Sequence, residues 1–298
     1  MIRSRLLALL LVIIPASSPG HTDVSETIKA LSAKIAGKPT ADLYYQRATE
    51  FRALRESDHA IEDLRAALKL EPKHRQAKIS LIRALGKSDE ALALATSYLV
   101  GSHSAHSSIE AAYLVAHIHH LRGENVHALA ICEKIQALAK SHENTIDLLH
   151  ADILLDLARP ADAAAILKTS WQRTQSIVVR NNWIDLALTA GQTTEVLPII
   201  SEELSSSRFR SSWLIRRARA SLILKKPAEA RADLSTALLE ITPRIHPERP
   251  DLTLITDRGL VHALMGNPDL ARRDLEELRK SSLPPAYYRL LSDTLAKR

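Results

Sequence analysis

The stretch ADLYYQRATEFRALRESDHAIEDLRAALKLEP occupies residues 41–72 and decides the fold. Its large and small apolar positions are, in order, Tyr44, Ala48, Phe51, Ala60, Leu64 and Ala67. Small residues allow two antiparallel helices to approach closely, and large residues fill the space around the crossing. The proline that closes the stretch stops the second helix, because its ring cannot continue a helix. The stretch therefore predicts one pair of packed antiparallel helices.

The position held by Ala60 recurs along the chain. Its equivalents are Ala91, Ala128, Ala163, Val196, Ala230 and Ala271. Consecutive members lie 31, 37, 35, 33, 34 and 41 residues apart, close to a period of about 34 residues. The small residues of the matching first helices are Ala48, Ala116, Ala151, Ala218 and Gly259. The chain is therefore predicted to repeat one helix pair about seven times.

These positions resemble those of the tetratricopeptide repeat, and the resemblance covers residues 41–283. It implies an all-α fold, a right-handed superhelical solenoid of about seven helix-turn-helix repeats. In the fifth repeat, Thr193 and Thr194 are predicted to open the second helix. Val196 stands there in the position that a small residue usually holds.

Both ends of the repeats are predicted to carry a capping helix, which hides the apolar face of a terminal repeat. In residues 21–40, one helical face is formed by Val24, Ile28, Leu31 and Ile35. In residues 284–298, the closing helix is predicted over 286–296, with apolar positions at Tyr287, Leu290, Leu291 and Leu295.

Residues 1–20 have the composition of a secretion signal. Two arginines precede the apolar run Leu6–Ile14, and proline, alanine, serine and glycine follow it. A run of this length is too short to span a bilayer comfortably. We therefore expect a signal peptide and a periplasmic or extracellular protein. An uncleaved signal that anchors the chain to a membrane is the alternative.

Composition restricts the class of function. Without the signal, 38 Lys and Arg face 34 Asp and Glu, a net charge of +4, and this mild excess indicates no particular partner. No nucleic-acid partner is expected for an exported protein. Cys132 is the only cysteine, so no intramolecular disulfide forms, and it is predicted to be a small core residue. The chain has no glycine-rich phosphate loop, no His-Glu-x-x-His pair and no nucleophile elbow. These features predict a protein that is not an enzyme and has no cofactor.

In the tetratricopeptide repeat family, the first helix of each repeat lines the concave surface. The resemblance therefore implies a partner-binding groove formed by Tyr45, Thr49, Arg52, Arg83, Tyr113, His117, His120, Asp152, Asp156, Asn181, Asp185 and Arg219. Both signs of charge, aromatic rings and an amide suit an extended peptide or a partner helix. The family's lysine- and asparagine-based clamp for a chaperone C-terminus has no counterpart, because its places hold Tyr45, Thr49, Ile79 and Arg83. The predicted function is an exported protein-protein interaction scaffold with an unidentified protein or peptide partner.

Two alternatives remain open from the sequence. His117 and His120 lie three residues apart within a histidine-rich segment, His103–His150, and this spacing on a helix can hold a divalent metal ion. The segment Arg208–Arg231 is strongly basic and includes two aromatic residues, a composition suited to an anionic surface such as lipid headgroups. The first alternative is a periplasmic metal-binding protein, and the second is a surface-binding module. Membrane contact is expected only through an uncleaved signal or through this basic segment.

Overall fold

The computed structural model describes residues 19–102, 104–138, 144–281 and 283–297. These residues form sixteen α-helices and two short 3-10 turns, without a β-strand. The predicted signal peptide, apart from its last two residues, lies outside the described residues, as does His103. None of the described helices combines the length and the apolar character that crossing a membrane requires.

The chain divides into two compact units. Unit 1 spans residues 1–139 and unit 2 spans residues 140–298. The helices of unit 1 are α1 (Pro19–Gly37), α2 (Ala41–Ala53), α3 (Ser57–Leu70), α4 (Arg75–Leu85), α5 (Asp89–Val100), α6 (Ala105–Leu121) and α7 (Asn125–Leu138). Those of unit 2 are α8 (Asn144–Asp156), α9 (Pro160–Thr174), α10 (Ile177–Thr189), α11 (Leu197–Ser206), α12 (Ser211–Ile223), α13 (Pro227–Ile241), α14 (Leu252–Met265), α15 (Pro268–Lys280) and α16 (Arg289–Ala296). Within each unit, most neighbouring helices pack in sequence, as in a helical solenoid. In unit 2, the main contacts of α10 are with α9 and α12, and α11 packs on α12.

Local sequence begins and ends these helices. At the start of five helices, a side-chain oxygen of the capping residue accepts a hydrogen bond from a backbone N–H of the first turn. The capping residues are Thr40, Ser88, Ser104, Ser176 and Asp251. This satisfies one of the backbone donors that a helix start leaves unpaired. At α4 the cap is a histidine: His74 Nδ1 accepts from Ala77 N at 3.2 Å, while His74 Nε2 lies 3.1 Å from Asp42 Oδ1. His74 therefore joins α2 to the start of α4.

The small residues predicted at the helix crossings are buried. All seven members of the series from Ala60 to Ala271 are at most 1% exposed. Gly259 shows why size matters here. A Cβ atom at this position would lie 2.7 Å from Leu291 Cδ2 and 3.0 Å from Asp274 Cβ, so α14 approaches both α15 and α16 too closely for a larger residue.

Three repeats, the first, sixth and seventh, share an ion pair between their two helices. Its members are Arg47 with Asp63, Arg217 with Asp233, and Arg258 with Asp274. Each arginine donates two hydrogen bonds to one carboxylate, at 2.5–3.1 Å. Such paired bonds fix geometry as well as charge. Each pair therefore locks the crossing of the two helices in its repeat.

Three details differ from the sequence prediction. In the fifth repeat, α11 begins at Leu197, so the prediction that Thr193 and Thr194 open this helix was wrong. Both threonines lie in the connection before the helix, and the proline at its second position favours the later start. The closing helix begins at Arg289, because Pro285–Tyr288 form a 3-10 turn that leaves Tyr287 69% exposed. At the other end, α1 starts at Pro19, before the predicted range.

We expect Gly259→Ala to destabilise the protein by about 1–3 kcal/mol, because the added methyl group collides with Leu291 and Asp274. The loss opposes the gain of up to ~1 kcal/mol that alanine brings to a helix. Gly37→Ala is the matched control, since no atom lies within 4 Å of its added Cβ. Urea unfolding of both variants measures the difference, and equal stability would contradict the close packing described for Gly259.

We also expect the Arg217 and Asp233 pair to be energetically coupled. A double-mutant cycle with Arg217→Gln and Asp233→Asn should give a coupling of about 1–2 kcal/mol, because Asp233 is buried. The exposed pair Arg272 and Asp269 provides the control, and its coupling should stay below about 0.5 kcal/mol. A coupling as small for the first pair as for the control would show that the ion pair does not stabilise the repeat.

Candidate functional site

The inner face of unit 1 is the side formed by the first helices of its pairs together with α1. At one end, a cavity of about 580 Å³ opens between α1 and α2. Its lining comprises Thr27, Ala30, Leu31, Lys34, Tyr45, Gln46, Thr49 and Glu50. Two of the sequence-predicted groove residues, Tyr45 and Thr49, therefore line one cavity. Arg52 follows them on the same helical face at the next turn and is exposed.

A second group on this inner face joins α4 to α6. The rings of Tyr113 and His117 stack with centroids 6.0 Å apart and planes inclined by 10°. Burial lowers the pKa of His117 below its ordinary value, and the nearby charges of His120 and Arg83 lower it further. Arg83, His117 and His120 are therefore neighbours on this face. His120 is turned toward its own helix end, where its Nδ1 lies 2.9 Å from Asn125 Oδ1.

The charges on the inner face of unit 1 are mostly positive. Lys34, Arg52 and Arg83 are exposed, and none of them forms an ion pair with another described residue. Glu50 is the acidic residue in the cavity lining. The lowered pKa of His117 leaves its side chain neutral at pH 7. The positive charge of this face at pH 7 therefore comes from Lys34, Arg52 and Arg83.

The inner face of unit 2 holds an ion network that joins α10 to α12. Arg216 donates to both oxygens of Asp185 at 3.1 and 2.6 Å. Arg219 donates to Asp185 Oδ1 at 2.6 Å, to its backbone oxygen at 2.9 Å and to Thr189 Oγ1 at 3.2 Å. Burial by itself would raise the pKa of Asp185, but Arg216 and Arg219 outweigh it and hold the pKa below its ordinary value. Two of the predicted groove residues, Asp185 and Arg219, are thus bound to each other.

The remaining predicted residues of unit 2 lie around this network. Asp152 and Asp156 are exposed on α8, and Asp156 Oδ1 accepts a hydrogen bond from Arg289 Nη2 at 2.5 Å. Asn181 lies on α10, where its Oδ1 atom is buried and has no hydrogen-bond donor among the described residues. Arg219 itself is only 7% exposed. Within unit 2, the predicted groove residues therefore mainly contact other residues of the chain.

Asp257 on α14 is a residue that the sequence reasoning missed. Burial raises the pKa of its carboxyl group to about 6, and the attraction of Arg216 only partly offsets this effect. Asp185 and Asp251 repel its charge, while Arg244 attracts it. Only the folded arrangement of α10, α12 and α14 reveals this carboxyl group, because nothing in its local sequence distinguishes it.

The two alternative sites can be located in part. Among the described residues, no group of three or more His, Cys, Asp or Glu is placed to hold a metal ion. His119, next to the candidate pair, hydrogen-bonds Glu124 at 2.5 Å. In the basic segment Arg208–Arg231, Arg216, Arg217 and Arg219 are paired with carboxylates of the chain. Cys132 is buried, and burial raises the pKa of its thiol to about 12, as for an unreactive core residue.

Comparison with known proteins agrees with this geometry. The family model described as tetratricopeptide repeat matches residues 41–74. The fold is that of a tetratricopeptide repeat protein. A tetratricopeptide repeat protein from Parabacteroides merdae is 19% identical, with a TM-score of 0.59, and the match covers 86% of this chain and 98% of that chain. A thermophilic protein of the same kind from Thermus thermophilus is 17% identical, with a TM-score of 0.44, over 67% of this chain and 99% of that one. The search of curated proteins found no match.

The tetratricopeptide pattern also contains a signal for the interhelical ion pairs. In the first, sixth and seventh repeats, an arginine directly precedes the small residue of the first helix. An aspartate follows 16 residues later in each case. This spacing is visible in the sequence and would have assigned Arg47, Arg217 and Arg258 to structure rather than to a binding surface.

The raised pKa of Asp257 predicts a pH-dependent stability difference. A carboxyl group with a raised folded pKa stabilises the fold while it is protonated, and this contribution is lost as the pH rises from about 4 to about 6. We therefore expect Asp257→Asn to gain stability relative to the wild type across this window, by about 1–2 kcal/mol at pH 7. Urea unfolding at several pH values measures it, and a pH-independent difference would contradict the assignment.

Proposed function

We propose that this protein is an exported interaction scaffold and that the inner face of unit 1 binds an acidic segment of a partner protein. The tetratricopeptide repeat fold supports an interaction role in general, because successive first helices present one continuous surface. Export rests on the composition of residues 1–20. The site and the chemistry of the partner rest on the contacts of unit 1.

The observation that carries the proposal is the contrast in charge pairing between the two inner faces. In unit 1, Lys34, Arg52 and Arg83 are exposed and make no ion pair with a described residue. In unit 2, Asp185 is paired with two arginines and Asp156 with a third. A surface whose charges lack internal partners can offer them to another molecule without first breaking an internal contact. Its positive sign favours an acidic partner.

The same face supplies apolar contact area beside the charges. The cavity of about 580 Å³ lies within the size range of small-ligand pockets and can accept side chains of a bound segment. Tyr45 forms part of its wall, and Tyr113 stacks on His117 farther along the face. Aromatic side chains at binding surfaces contribute area at a low entropic cost. A segment that combines acidic residues with one or two apolar side chains fits this arrangement.

We expect Arg83→Glu to weaken binding of acidic peptides at least tenfold, because it replaces attraction by repulsion at the centre of the face. The peptides are selected from a random display library against the wild-type protein and titrated by fluorescence anisotropy. Lys69→Glu is the matched control: it makes the same charge change at an exposed residue of α3, outside the inner face. The affinity of the selected peptides for this control variant should differ from that for the wild type by less than about twofold. It should also fall with added salt in the same way as for the wild type.

Each result decides one part of the proposal. Selected peptides without an excess of Asp and Glu would exclude the acidic partner but retain the binding face, if Tyr45→Ala still weakens them. Peptides that bind equally well to Arg83→Glu, Tyr45→Ala and the wild type would exclude the inner face of unit 1 as the site.

A further inference from the structure

One hydrogen-bonded ion pair in unit 2 joins residues that are 133 positions apart in sequence. Arg289 Nη2 donates to Asp156 Oδ1 at 2.5 Å. Asp156 is the last residue of α8, the first helix of the unit, and Arg289 is the first residue of α16, the last helix. The pair thus connects the two ends of unit 2.

Both helices are held in place by other contacts. Leu291 on α16 is fully buried, and its Cδ2 atom lies against the backbone of Gly259 on α14. On α8, Asp147 accepts hydrogen bonds from Ser170 and Arg173 of α9, each at 2.7 Å. Arg289 and Asp156 therefore extend from two separately anchored helices, and their contact bridges the two ends of the unit.

Polar groups of the inner face lie on the helices between these two ends. The Asp185–Arg216–Arg219 network occupies α10 and α12, and Asp257 follows on α14. The Asp257 carboxyl group is partly buried and accepts no hydrogen bond from a described residue. Ionisation of a carboxyl group in such a position becomes more favourable when water reaches it.

We propose that the Arg289–Asp156 pair is a latch that closes the inner face of unit 2. With the latch formed, α8 and α16 are held together and access to the groups on α10, α12 and α14 is restricted. The Arg289 side chain is 30% exposed and the Asp156 side chain 28%. A pair with this much water contact is weak enough to open reversibly. A partner that enters this face must first break the pair.

The latch is independent of the function proposed for unit 1, because no residue of that face contributes to it. Within unit 2, the ionisable groups that act on Asp257 are Arg216, Asp185, Asp251 and Arg244. Opening the latch leaves these neighbours in place and changes only the access of water. The titration of Asp257 therefore reports on opening without being its cause.

The test is a charge exchange combined with a distance measurement in the full chain. Spin labels are placed on cysteines introduced at the exposed positions Asp152 on α8 and Asp293 on α16, and double electron–electron resonance gives the distance between them. Cys132 is buried and does not react. In this background, Asp156→Arg should lengthen and broaden the distance distribution, and so should Arg289→Asp. The double exchange Asp156→Arg with Arg289→Asp restores an ion pair and should return the distribution to its original form.

A second readout separates opening from unfolding. In the unlabelled chain, carboxyl NMR titration should show the Asp257 pKa falling from about 6 toward its ordinary range in each single variant and returning in the exchange variant. Asp293→Arg is the matched control for Asp156→Arg, since it makes the same charge change on α16 outside the pair. The milder Arg289→Gln serves if a single variant loses its helical circular dichroism. An unchanged distance in the single variants, or an exchange variant that stays open, would overturn the latch.

Discussion

Close approach of neighbouring helices at small residues is the constraint on which the structure depends. The six alanines of the series that begins at Ala60 lie at these crossings with at most 1% exposure, and Val196, which directly precedes α11, is equally buried. Such contacts stabilise the fold through dispersion and apolar burial only when no void remains between the helices. Large residues such as Leu64 and Leu234 therefore surround the small ones. Gly259 is the limiting case, because α14 meets two helices there. Within each unit, one helix pair then positions the next, and the inner face follows from this stacking.

The inner faces of the two units differ in whether their charged side chains form ion pairs within the chain. In unit 2, Arg216 and Arg219 form ion pairs with Asp185. The Cζ atom of Arg216 also lies 4.9 Å from the centroid of the Trp213 ring. Charges held in this way stabilise helix order and are costly to separate. In unit 1, the positive charges of the inner face lack such partners and stand beside a cavity. The two units therefore use similar residue types for different purposes.

The sequence predicted the all-helical fold and the repeated helix pair because both depend on local spacing. The sequence did not predict the late start of α11. Val196 matches the spacing of the repeat and was therefore expected within the helix, whereas the connection formed by residues 190–196 delays the helix start to Leu197. Contacts between distant helices could not be predicted in this way. The raised pKa of Asp257 requires the burial created by α10, α12 and α14 together. Sequence position assigned Asp185 and Arg219 to a binding groove, but only the contacts show that they bind each other.

Arginine side-chain NMR tests the division between the two faces most directly. Nε–Hε spectra of the protein, recorded with and without a bound acidic peptide, report on the arginines of both units in one experiment. The account predicts that the signals of Arg52 and Arg83 shift on binding, while those of Arg216 and Arg219 stay in place. Shifts confined to Arg216 and Arg219, with Arg52 and Arg83 unchanged, would contradict it.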